Sequence, residues 1–185
     1  MHFFNMSSEE LRAIISHGIN VSHDEIYNFW LARLNQTYGV DQSLVNQTKY
    51  VSAMLTKFSF VPLNLDIYFS SLPAVARIAE FQDADLLSDY PISPEIFENA
   101  AEQLLFLSGF EEKFTVRYIG RKETERIGTL LFLGAALGQR REILIEMSDN
   151  FTNWQRRLAF LSYQLRKNLT ELTQGIRFLI QIPDV

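Results

Sequence analysis

Apolar residues recur along this chain at spacings of three and four, and the longest such run lies near its C-terminal end. Phe151, Trp154, Leu158, Leu161, Leu165 and Leu172 share one face of a helix expected over 150–174, running toward Gly175 as its stop. The same period repeats upstream. A first helix is expected over Ser8–His17, with Glu9 and Glu10 in the first turn and Gly18 after it. A second opens on the capping-box pair Ser22 and Glu25, turns Tyr27, Trp30, Leu31, Leu34 and Tyr38 inward, and stops at Gly39. A third follows Asp41, with Leu44, Val51, Leu55 and Phe58 inward, and ends before Pro62.

Ser71 and Pro73 open a further helix through about Phe81. Ser93-Pro94-Glu95 opens the next, with Ile96, Phe97, Ala100, Leu104 and Leu107 inward and Gly109 as its stop. An apolar helix is expected over 121–138, and another begins near Arg140. Three stretches alternate instead, at 63–69, 114–119 and 176–182, as short strands do. The fold expected is therefore all-α: a single domain over 1–185, a bundle of about seven helices packed around 121–138 and 150–174. A minor pairing of short strands is the second arrangement.

Composition narrows the chemistry. A chain of 185 residues without cysteine builds its core from apolar burial, with no disulfide, thiolate zinc site or cysteine nucleophile. The start of the chain has neither the basic opening nor the apolar run of an export signal, so a cytoplasmic location is expected. The longest mostly apolar run, 127–138, is shorter than the ~20 residues of a membrane span. Charge is uneven: residues 1–110 hold 5 Lys/Arg against 13 Asp/Glu, net −8, and residues 111–185 hold 12 against 9, net +3. Such asymmetry suits one folded unit with complementary halves, or self-association through opposite faces.

The candidate chemistry is sparse. The second and third helices resemble a helix-turn-helix, with Gln42, Ser43, Asn46 and Gln47 as amide and hydroxyl base readers. The acidic balance around them opposes phosphate binding, so nucleic acid is not the expected partner. His2, His17 and His23 make no metal-ligand spacing, and the acidic run Glu80, Asp83, Asp85 and Asp89 lacks the glycine and terminal glutamate of a calcium loop. Gly128, Gly134 and Gly138 point to close helix approach, or to room for a flat cofactor or lipid. No catalytic residue, resident cofactor or metal is indicated.

Arg156, Arg157, Arg166, Lys167 and Asn168 give the terminal helix a basic face suited to an acidic partner, with Asn168 as a polar interruption of the leucine stripe. The function expected is thus non-enzymatic: a helical protein acting through contact with another protein or with itself, a homodimer of antiparallel terminal helices included. The competing readings are a helical pocket protein that binds an apolar ligand or cofactor, which would include enzymes, and a helix-turn-helix regulator.

Overall fold

The computed structural model describes residues 22–60, 93–110, 120–136 and 141–179. They form six α-helices and no strand: α1 His23–Tyr38, α2 Val45–Phe60, α3 Pro94–Phe110, α4 Arg121–Ala135, α5 Arg141–Asp149 and α6 Phe151–Leu179. A single 3-10 turn, Gln42–Leu44, leads into α2. The expected helices at 8–17 and 71–81, and the alternating stretches at 63–69 and 114–119, lie outside the described residues. The third alternating stretch corrects the sequence expectation. Residues 176–179 continue α6, and Gly175 lies inside that helix rather than after it. A helix already propagating gains one backbone bond per added residue, and that outweighs the local strand preference.

Local chemistry sets several boundaries. The Ser22 N–H donates to the Glu25 carboxylate at 2.8 Å, and the Glu25 N–H donates to Ser22 Oγ at 3.2 Å. Those bonds hold the Glu25 carboxyl below its usual pKa, so the cap is complete above the ordinary carboxylate range and fades as pH falls through it. Gly39 closes α1 at a φ of 76°, and its N–H donates to the Asn35 carbonyl. Asp41 Oδ1 accepts the Ser43 N–H at 3.0 Å and so starts the 3-10 turn. Replacing Ser22 by alanine is expected to cost about 1 kcal/mol. That is a fall of about 2–4 °C in melting temperature for a chain of this size, measurable by calorimetry.

One contiguous core draws on all six helices. It includes Leu34 of α1, Leu55 of α2, Phe97 of α3, Phe132 of α4, Leu144 of α5 and Trp154 of α6. α3 is central and packs most extensively on α4 and α6, while α1 lies against α2. Two glycines fix the closest approaches. Gly109, expected as the stop of α3, is its penultimate residue, and a Cβ there would lie 2.4 Å from the Cβ of Leu158. A Cβ on Gly128 would meet the Phe151 ring at 2.2 Å. Gly134 is also buried, and Gly138 lies outside the described residues. Ile96, expected inward, is exposed, because α3 turns Phe97 and Ala101 to the core instead.

Candidate functional site

The leucine stripe of α6 faces inward at its first four positions. Phe151, Trp154, Leu158 and Leu161 are buried, and Leu165 is partly so, while the side chain of Leu172 lies outside the described set. Burial of one face fixes what the opposite face presents. Arg156, Phe160, Tyr163 and Lys167 are all exposed and follow one another at spacings of four, three and four. At 100° per residue these four fall within an arc of about 60°, along roughly 16 Å of helix. Phe160 is 47% exposed and Tyr163 62%, so two large aromatic rings stand in water between two cations.

The other residues of the expected basic face, Arg157, Arg166 and Asn168, lie off that stripe. The Arg157 guanidinium lies 5.0 Å from the Tyr38 ring centre and 5.2 Å from that of Trp154, and the Tyr38 hydroxyl donates to the Arg157 carbonyl. Burial pushes the Tyr38 phenol up to about 12, against the opposing pull of the Arg157 charge. Arg166 is exposed, yet its guanidinium donates to the carbonyl of Phe110, the last residue of α3, beside the hydroxyl of Ser162. It thereby satisfies an end-of-helix carbonyl. Asn168 is half-buried and lines a cleft of about 250 Å³ between α1 and α6, together with Arg33, Gln36, Phe160 and Gln164. Of the five residues read from the sequence, Arg156 and Lys167 share the outward stripe and the others do not. Phe160 and Tyr163 were missed. Their spacing from both cations, opposite the leucines, was the available signal.

A second feature is a groove of about 540 Å³ between α2 and α3, floored by Met54, Ala135 and Leu144. Its polar wall is internally bonded. The Tyr50 hydroxyl donates to Glu98 at 2.9 Å, and Lys57 Nζ donates to Glu102 at 2.7 Å and to Asn99 Oδ1. Burial, reinforced by the Glu102 and Glu98 charges, drives the Tyr50 phenol far above its ordinary pKa, so it stays a donor and supplies no general base. The groove therefore holds helices α2 and α3 together through paired polar groups, and its walls are not those of an apolar ligand pocket.

The base-reader set does not stand together either. Gln42, Ser43 and Asn46 are exposed, whereas Gln47 is buried and accepts the Trp154 indole N–H at 2.7 Å while donating toward Glu146 at 3.4 Å. His23 stacks on Phe60 with ring centres 5.9 Å apart. His2, His17 and the acidic run at 80–89 lie outside the described residues. Among the described residues there is no group of three metal-capable side chains, and no helix long and apolar enough to cross a membrane.

Comparison of the chain with protein-family models, with curated proteins and with solved structures finds no match in any of the three. The outward face of α6 is thus read on its own chemistry.

Proposed function

We propose that this is a non-enzymatic, cytoplasmic helical protein that acts by contact with other proteins, and that the outward face of α6 docks an acidic protein surface. The observation that carries this reading is the exposed pair Phe160 and Tyr163 set between Arg156 and Lys167. Aromatic side chains and arginine are the residues that most often supply binding energy at interfaces. The cytoplasmic part is supported by the cysteine-free composition, which suits a reducing compartment.

Magnitudes set the kind of contact. Covering two half-exposed rings removes on the order of 200 Å² from water, about 5 kcal/mol. Association costs about 4–15 kcal/mol in lost freedom and ordering. The rings alone therefore give a weak complex, and the flanking charges set its rate of formation and its selectivity.

The test uses a labelled amphipathic peptide helix with glutamates on its polar face and leucines on the other. Its binding is followed by fluorescence anisotropy at low salt. The double variant Arg156→Glu/Lys167→Glu is expected to bind about tenfold more weakly than the parent, since like charges now meet across the contact. Lys49→Glu/Lys122→Glu changes net charge equally at exposed sites elsewhere and is expected to leave binding near the parent's. Equal weakening in both variants would reduce the effect to bulk charge and remove the reading.

A further inference from the structure

Resting on that docking face and deepening it, we infer that the cleft between α1 and α6 takes one glutamate side chain of the acidic partner, its carboxylate bonded by the amides of Gln36, Gln164 and Asn168. The cleft holds about 250 Å³ and has Phe160 in its wall. That volume is below the roughly 300–1,000 Å³ of a small-molecule pocket and suits a single inserted side chain. At 100° per residue, Gln164 and Asn168 lie about 40° and 80° round α6 from Phe160, on the side toward α1. By the same count Arg156, Tyr163 and Lys167 lie on its other side. Phe160 is thus the edge that the cleft and the outward stripe share, and one partner surface can reach both.

The polar lining favours an acceptor. The Arg33 guanidinium donates to Gln36 Oε1 at 2.9 Å. A guanidinium accepts nothing, so this bond fixes which way the Gln36 amide points and leaves its N–H groups for what enters from outside. Arg33 has further partners of its own and enters here only as the group that orients Gln36. Gln36 stands at the exposed rim, while Gln164 and Asn168 are half-buried. Among the described residues, neither of those two side chains makes a hydrogen bond. No Asp or Glu is found among the described residues of the lining, so an entering carboxylate meets no like charge there. Bonds from amide N–H groups to a charged oxygen are roughly twice as strong as those to a neutral one. Leu161 and Leu165 complete an apolar wall for the methylenes of the glutamate. The stripe then supplies contact area, and the cleft selects for an acid.

The acidic probe helix decides it when its glutamates are changed to glutamine one at a time. Binding to the full chain is read by fluorescence anisotropy at low salt. Glutamine keeps the shape and an acceptor oxygen and removes the charge. Against the parent, one probe position is expected to cost about tenfold and the others far less. Against Gln164→Leu/Asn168→Leu, that position is expected to cost no more than the others. The readout is the ratio between paired probes on the same protein, so a general change in the surface does not imitate it. Gln164→Glu sets a like charge in the cleft and is expected to lose the same preference. It replaces the double variant if thermal melting shows the latter to be unfolded. A parent that shows no privileged glutamate, or a cleft variant that keeps the preference, overturns the inference. If Arg156→Glu/Lys167→Glu then still weakens every probe alike, the docking face stands and only the cleft falls. If no probe binds the parent, both fall.

Discussion

Replacing Trp154 by alanine is expected to remove about 3–5 kcal/mol of stability. The indole is fully buried at the centre of the core, and its N–H donates to Gln47 Oε1 at 2.7 Å. Truncation opens a cavity that the surrounding core closes only in part, and it leaves the buried Gln47 carbonyl without this donor. Against a total stability of about 5–15 kcal/mol, a loss of that size brings the chain near its unfolding threshold. Urea denaturation reads it as a lower midpoint at unchanged slope. Trp154→Phe separates the two contributions. It fills most of the space and is expected to cost about 1–3 kcal/mol, the penalty of an unpaired buried acceptor. A loss below 1 kcal/mol for the alanine variant would place the indole outside the core.

Gly109→Ala is the second large effect, although it adds one methyl group. The new Cβ would lie 2.4 Å from the Cβ of Leu158 and 3.5 Å from the Gln155 carbonyl. A Cβ cannot rotate away, so relief requires α3 and α6 to separate. Overpacking of this kind costs about 1–3 kcal/mol and sometimes more. The gain of about 1 kcal/mol from replacing a helical glycine offsets only part of it. Leu158→Ala keeps the offending Cβ, so the double variant is expected to gain no relief, which thermal melting can check. Gly128→Ala is expected to be milder, since the atoms it meets are the tip of the Phe151 ring, and a ring can tilt.

What the sequence reveals is the chemistry that acts within a few residues. Ser22 and Glu25 cap α1 as read, Gly39 ends it, and the stripe from Phe151 to Leu161 is core. What it conceals depends on partners far along the chain. A glycine that ends a helix and a glycine that admits a neighbouring helix look alike in sequence. Gly109 stands one residue from the end of α3 and also admits Leu158, whereas Gly175, with the same local signal for a stop, lies inside α6. Arg157 and Arg166 read as surface cations because nothing local announces that Tyr38 will stack on one and the Phe110 carbonyl will accept from the other. Gln47 likewise read as a base reader until Trp154 and Glu146 were brought to it. Phe160 and Tyr163 were concealed by a sound generalisation, that aromatic residues at helical spacing are core. Along α6 the inward positions were already filled by leucine and tryptophan, and that alone places the two rings outside.

The most direct test of the docking face is photo-crosslinking from position 163 in living cells, with Leu133 as an exposed control on a different helix. A benzophenone side chain at each position reports what lies within contact distance of it. A docking face predicts adducts concentrated at 163, with crosslinked peptides rich in aspartate and glutamate, and their loss when Arg156 and Lys167 are changed to glutamate. Equal yields at 163 and 133, or adducts at 163 that carry no acidic character, would make the outward face of α6 an ordinary solvated surface and contradict the account.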